Sequence, residues 1–406
     1  MAASVSVSTS QRHIDLELKY GANNYLPLPV VIERAEGPWV WDPDGKKYLD
    51  MLSAYSALNQ GHRHPRIIDA LKNQADQVTL VSRAFHSTQM GRLLELLTTL
   101  TGYPKTLLMN TGAEAVETAL KTVRKWGYKV KGVPADQAEI IVCRNNFHGR
   151  TTTIVGFSSE EQYRDGFGPF APGFKLIDYG DSEALEHAIT PHTVAFLVEP
   201  IQGEGGIIVP SAGYLQRVRE ICTRHNVLLA LDEIQTGLGR TGKLFAFEHE
   251  DIRPDVLIVG KALGGGVLPI SGVLSSEEIM GVFKPGDHGS TFGGNPLACA
   301  VARASLAVLV EEKLPERAAR LGKFMMKELR AIESKHVADV RGVGLLIGVE
   351  IKVSSGPARP FCERLRDLGI LAKETHGQVI RFAPPLVVRK RELKWALEQI
   401  AAVLQD

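Results

Sequence analysis

Cysteine is scarce in this chain: Cys143, Cys222, Cys299 and Cys362 are the only four among 406 residues, each more than 60 residues from the next. No C-x-x-C pair is present to grip zinc or shuttle electrons, and no metal site is expected. A disulfide framework does not suit a chain with this much core, so the expectation is reduced, mostly buried thiols in a reducing compartment. An excess of one charge is lacking too. Lys and Arg total 47 and Asp and Glu 46, leaving +1 with no polybasic run, which argues against nucleic acid and membrane surfaces as partners. Long apolar runs are missing except between Val256 and Ser276, where Lys261 is the only charge. Gly264, Gly265, Gly266 and Pro269 interrupt that stretch, so a buried turn is expected rather than a spanning helix. Residues Met1 to Ser10 carry no charge, and their apolar positions alternate with serine instead of forming a signal-peptide core. A short disordered tail and a cytoplasmic location are expected, with the mitochondrial matrix as the alternative if a presequence has been removed.

What remains is an ordinary globular composition, 44% hydrophobic and 23% charged, in a length that suits two or three domains. Short apolar runs, Glu139 to Cys143, Val194 to Val198, Val227 to Leu231 and Val256 to Val259, alternate with helical patterns such as Ala113 to Val130 and Gly213 to His225. This alternation predicts an α/β fold with a large, mostly parallel sheet and helices on both faces. The ends read differently: strands from Val30 to Met51 turned at Asp42-Pro43-Asp44-Gly45, then a helix near Pro315 to His336, a glycine-rich strand region from Val340 to Ile351, and a last helix with Leu393, Ala396, Leu397, Ile400, Val403 and Leu404 at helical spacing. The expected division is a large domain at residues 51–298 and a smaller α+β domain formed from both termini, residues 1–50 and 299–406.

Gly237-Leu238-Gly239-Arg240-Thr241-Gly242-Lys243 satisfies both the dinucleotide and the NTPase glycine patterns. Five residues separate it from its strand, the following residues open a helix poorly, and Leu244 stands where a magnesium-binding hydroxyl belongs. A glycine loop is the better reading, with a nucleotide-binding protein as the alternative from another class. Three other features fit one chemistry. Asp232 and Lys261 each follow a strand of the parallel sheet and so emerge at one edge. Burial disfavours an ammonium, which makes Lys261 a candidate neutral amine for Schiff-base chemistry, against the alternative of a solvated surface lysine. Thr111-Gly112-Ala113-Glu114 reads as a capping box whose Gly112 and Ala113 amides face an anion, or as a purely structural cap. Ser290 and Thr291 offer hydroxyls to the same anion, or form a turn. Phe147 suits ring stacking or a core position, and His148 reads as a hydrogen-bonded histidine at a strand end. Together these supply the lysine, carboxylate and anion cradle that a pyridoxal 5'-phosphate (PLP) site requires.

At this point the chain resembles the class III, fold-type I PLP aminotransferases from about Tyr20 to the C-terminus. The stretches that carry the resemblance include Ser53-Ala54-Tyr55-Ser56-Ala57, Asn59-Gln60-Gly61-His62, Met109-Asn110-Thr111-Gly112, Glu199-Pro200-Ile201-Gln202-Gly203-Glu204, Asp232-Glu233-Ile234-Gln235-Thr236-Gly237, Gly260-Lys261-Ala262-Leu263 and Arg381-Phe382-Ala383-Pro384-Pro385. The resemblance implies that Lys261 bonds the cofactor, Asp232 partners its pyridine nitrogen, Gln235 its ring hydroxyl and Phe147 its face, with Gly112 and Ala113 on its phosphate. Glu199 matches a carboxylate that positions neighbouring groups. Thr291 matches a phosphate ligand given by the neighbouring subunit, which implies a homodimer with its active site at the interface. His148 stands where animal members carry tryptophan. The resemblance further implies small-molecule substrates, L-ornithine as donor through its δ-amine and 2-oxoglutarate as acceptor. Tyr25 and Arg150 match residues that bind the donor's α-carboxylate, and Tyr55 one that meets its α-amino end. Arg381 is implied to pair with Glu204 while the diamine is bound and to receive the oxo-acid afterwards. N-acetylornithine and 4-aminobutyrate are the alternative donors, and Tyr55 with Tyr25 favours free ornithine.

Overall fold

The computed structural model describes residues 8–406. Seven strands form the central sheet in the order Lys105–Met109, Ser271–Ser275, Val256–Val259, Leu228–Asp232, Thr193–Val198, Glu139–Cys143, Phe174–Ile177. Ser271–Ser275 runs antiparallel to both of its neighbours, and the other pairings are parallel.

Side chains alternate across a strand, so a sheet covered on both faces reads as an unbroken apolar run that divides between two cores. That division is visible here. Ile141, Cys143, Phe196, Val198, Leu229, Leu231, Leu257 and Val259 belong to one buried cluster. Their neighbours Ile140, Val142, Ala195, Leu197, Leu228, Ala230, Val256 and Ile258 belong to another. The helix Gly112–Trp126 covers the second face, and the helices Tyr214–Arg224 and Pro296–Glu311 pack within the first cluster.

Two smaller sheets join sequence-distant segments. Arg34–Glu36, Trp39–Trp41 and Lys47–Asp50 form an antiparallel meander, and Ile370–Leu371 pairs in parallel with Lys47–Asp50. Val337–Val343 and Leu346–Ile351 form a hairpin that continues through Val379–Phe382 to Lys373–Thr375. Residue 298 falls inside the helix Pro296–Glu311, which packs on Pro65–Ala75 and Thr88–Thr101.

Some local expectations shift. The tail expected at Met1 to Ser10 lies outside the described residues up to residue 7, whereas Ser8 caps a helix, Thr9–Tyr20, by accepting from the Gln11 amide. The pattern Ala113 to Val130 becomes an α-helix that widens into a π-turn, Gly127–Lys131. The apolar stretch around Lys261 is two strands, Val256–Val259 and Ser271–Ser275, joined by a segment that opens on the 3₁₀ turn Lys261–Gly264, and among the described residues no helix is long and apolar enough to cross a membrane. All four cysteines are free and buried.

Candidate functional site

Parallel strands deliver their carboxyl ends to one edge of the sheet, and the polar residues identified in the sequence gather there. Asp232 ends one strand, Glu199 follows the next, Phe147 and His148 lie just beyond a third, and Lys261 opens a 3₁₀ turn after Val256–Val259. The helix Gly112–Trp126 points its N-terminus at the same place, with the expected capping box formed between Thr111 and Glu114. Gly112, Ala113, Phe147, His148, Glu199, Asp232, Gln235 and Lys261 line one cavity of about 220 Å³.

Hydrogen bonds set the orientation of each group. Asp232 Oδ2 meets His148 Nδ1 at 2.8 Å, and its Oδ1 accepts the Ile234 amide at 3.0 Å. Glu199 accepts the amides of Phe147 at 2.9 Å and Gly203 at 3.1 Å. Burial lowers the Lys261 ammonium below its ordinary range, against the pull of Glu204 and Asp232. Burial also raises Glu199 to about 7, helped by Asp232 and opposed by His148 and the two amides. For His148 burial works against the charged form, but its bond to Asp232 and the charges of Asp232 and Glu199 prevail and raise it.

Beside this cavity lies a larger one of about 590 Å³, lined among others by Tyr25, Tyr55, Arg150, Tyr163, Glu204 and Arg381. Gln235 Nε2 donates to Glu204 Oε1 at 3.1 Å, so the two cavities share a wall. Arg381 is 1% exposed and donates to both Glu204 carboxylate oxygens, Nη1 at 2.5 Å and Nη2 at 3.3 Å. Burial works to raise the Glu204 carboxyl, but Arg381, Lys261 and Gln235 outweigh it and hold the group below the usual range. The Arg381 guanidinium lies over the Tyr55 ring at 4.8 Å, and Arg150 stacks on Tyr163 at 3.8 Å. Tyr25 stands at the rim, 74% exposed.

Two atoms at the first cavity carry unsatisfied hydrogen-bonding capacity: Gln235 Oε1 and His148 Nε2 are buried without a partner among the described residues. Buried polar atoms normally find partners. An orphan acceptor beside a buried amine, a carboxylate and a helix N-terminus fits an aromatic cofactor bearing a hydroxyl and a phosphate. Gly203 keeps the Gln235 amide in place, because a Cβ there would come within 2.1 Å of Gln235 Oε1.

Ser290 and Thr291 do not line the Lys261 cavity of their own chain. The Ser290 hydroxyl accepts from Asn110 Nδ2 at 2.8 Å and from the Gly293 amide at 3.1 Å, and Thr291 is exposed. The glycine loop from Gly237 to Lys243 is not a nucleotide cradle. Leu238 to Thr241 are buried, only the one-turn 3₁₀ helix Ala246–His249 follows, and Arg240 donates to the carbonyls of Leu345 and Pro384 and to Asn59 Oδ1. It is a core connection whose glycine at 242 would clash with Ala319 if it carried a Cβ. Sequence reasoning missed Tyr163 beneath Arg150, and Asp50 and His62, which pair at 2.8 Å behind the Tyr55 segment.

Over residues 20–404 the chain matches the family described as Aminotransferase class-III. It is 61% identical over 386 residues to an ornithine aminotransferase of Brevibacillus brevis, covering 95% of this chain and 96% of that protein. A crystal structure of the Toxoplasma gondii ornithine aminotransferase, with partial occupancy of PLP at its active site, superposes with a TM-score of 0.97 at 47% identity, covering 98% of this chain and 95% of that one. The acetylornithine aminotransferase of Elizabethkingia anophelis superposes with a TM-score of 0.89 at 48% identity, covering 98% and 99%.

Proposed function

Because this chain belongs to the class-III aminotransferases, we infer that it transfers the δ-amino group of L-ornithine to 2-oxoglutarate, giving glutamate-5-semialdehyde and glutamate. The cofactor is PLP, which supplies an electron sink for loss of a proton from the donor's amine-bearing carbon. In this reading Lys261 holds it, and the amides of Gly112 and Ala113 take its phosphate at the helix N-terminus. The Gln235 orphan oxygen would receive its hydroxyl, Phe147 would stack on its ring, and Asp232 would keep its ring nitrogen protonated. His148 and Glu199 support that nitrogen's partner and its loop. Lys261 Nζ, inclined to neutrality by burial, would take the proton from the donor carbon and pass it to the cofactor, not back to the donor. The released semialdehyde carries an amine within ring-closing reach of its aldehyde and cyclises to pyrroline-5-carboxylate.

Ornithine presents two amines, so the donor cavity must admit one end only. Arg150 and Tyr25 are assigned to the α-carboxylate, where a guanidinium fork donates two parallel bonds, and Tyr55 to the α-amino end. The observation that carries the reading is the pair formed by the buried Arg381 guanidinium with the partly exposed Glu204, facing Tyr55. While closed it hides a cation from the diamine; once opened, Arg381 receives the α-carboxylate of the oxo-acid.

The 48% identity to an acetylornithine enzyme makes N-acetylornithine the second reading, with 4-aminobutyrate behind it. Tyr55 and Tyr25 on the donor cavity support the free amine. We further read the assembly as a homodimer in which Ser290 and Thr291, which do not line their own cavity, serve the partner's phosphate. An apolar hollow of about 490 Å³ that includes Thr79, Leu80, Leu268, Pro269 and Phe292 suits a second copy. Residues 51–298 then act as the cofactor-binding unit and 1–50 with 299–406 as the smaller one, working in the cytoplasm, where four free thiols stay reduced. A donor panel tests the substrate. With 2-oxoglutarate as acceptor, ornithine is expected to exceed N-acetylornithine, 4-aminobutyrate and lysine in kcat/KM, and preference for any of the other three overturns the assignment.

A further inference from the structure

Ser53, Ala54, Tyr55 and Ser56 have φ of 52°, 47°, 60° and 72°, a left-handed turn without glycine or asparagine. Residues with a Cβ crowd the following carbonyl in this region and visit it singly, not in runs. Such a run persists only where its surroundings over-determine it, and strain of this kind gathers at functional sites. The surroundings here are explicit. Asp50 Oδ1 accepts the amides of Leu52 and Ser53, both at 2.8 Å, while Asp50 Oδ2 meets His62 Nε2 at 2.8 Å. The buried Ser53 hydroxyl donates to the Ala383 carbonyl at 2.6 Å, and the Ala383 amide donates to the Met51 carbonyl at 2.7 Å. Ala383 lies two residues beyond Arg381, so the turn that carries Tyr55 is fastened to the strand that carries Arg381. Ala54 lines a cavity with Lys261, and Tyr55 lines the donor cavity with Glu204 and Arg381.

We propose that the Ser53–Ser56 turn is a specificity clamp in which Asp50 and Ser53 are positioning residues that fix Tyr55 against the donor's α-amino end. Their hydrogen bonds hold a strained backbone that would otherwise relax and carry the Tyr55 ring off Arg381. The proposal rests on the reading of Tyr55 given above. Steady-state kinetics with ornithine and with 4-aminobutyrate, which has no α-amine, separate positioning from bulk structure. Ser53→Ala is expected to lower the ornithine to 4-aminobutyrate ratio of kcat/KM by about threefold to tenfold, the worth of one hydrogen bond, and to do so through KM more than kcat. Asp50→Asn is expected to act in the same direction and serves if Ser53→Ala folds poorly. In a Tyr55→Phe background, Ser53→Ala is expected to leave the ratio where Tyr55→Phe alone puts it. An unchanged ratio, equal losses for both donors, or loss of folding in both variants overturns the clamp. If Tyr55→Phe itself leaves the ratio unchanged, the reading of Tyr55 falls and the clamp falls with it, a result distinct from failure of the clamp alone.

Discussion

Replacing Glu204 with alanine is expected to turn a removable mask into a permanently open carboxylate site. Arg381 is 1% exposed, and its Nη1 and Nη2 reach the Glu204 oxygens at 2.5 and 3.3 Å, so an entering carboxylate must displace that pair. Hydrogen bonds to charged groups contribute about 1.5 to 3 kcal/mol, which corresponds to roughly a 10- to 160-fold change in preference. That gain falls to glutamate and 2-oxoglutarate, whose α-carboxylate reaches Arg381, while the distal ammonium of ornithine meets an unshielded cation. Single-turnover rates of the two half-reactions, followed by the absorbance of the bound cofactor, should therefore move apart by about that factor in Glu204→Ala. Arg381→Ala should shift them the opposite way. A cost accompanies the first variant, because breaking a buried pair leaves an uncompensated charge worth about 3 to 5 kcal/mol. Added 2-oxoglutarate should restore part of the lost thermal stability. Parallel losses in both half-reactions, in both variants, would refute the selector and leave the pair structural.

Other consequences follow from the first cavity. Lys261→Ala is expected to abolish nearly all turnover and the cofactor's lysine-bonded absorbance while the fold survives, since removing a buried amine relieves desolvation; near-normal turnover by the folded variant with PLP supplied would sink the assignment. Asp232→Asn preserves shape beside His148 but removes the charge, so turnover should fall by about a hundredfold or more, as when a charge-stabilising group is lost, with cofactor binding affected far less. Glu199 has its carboxyl raised by burial from 4.5 to about 7. The folded chain therefore keeps a proton that the unfolded chain has lost, and the associated stability is full below about 4.5 and disappears as pH rises through 7. Denaturant melts of the parent and Glu199→Gln should show the parent losing stability relative to the variant across that window, and a pH-independent difference would contradict the shift.

The central sheet was legible because a buried parallel strand advertises itself: Ile140 to Cys143 and Leu228 to Leu231 are unbroken apolar runs that divide between two cores. Asp232 and Lys261 were legible as partners for the same reason, since parallel strands place their ends on one edge. The capping box at Thr111 was local and appeared as written. The Glu204 to Arg381 pair spans 177 residues, so spacing alone carried no trace of it and only family resemblance did. His148 facing Asp232 across 84 residues was likewise beyond local pattern. The left-handed turn at Ser53 to Ser56 was hidden more deeply. Its residue types argue against that backbone, and Asp50, His62 and Ala383 impose it from outside the segment.

In the proposed reaction the terminal amine of ornithine leaves and its α-amine stays. Ornithine labelled with ¹⁵N at the δ position, incubated with 2-oxoglutarate and the PLP-loaded protein, decides this by mass spectrometry of the glutamate formed. ¹⁵N is expected in glutamate from the δ-labelled donor and none from the α-labelled one. Glutamate labelled from the α position would contradict it.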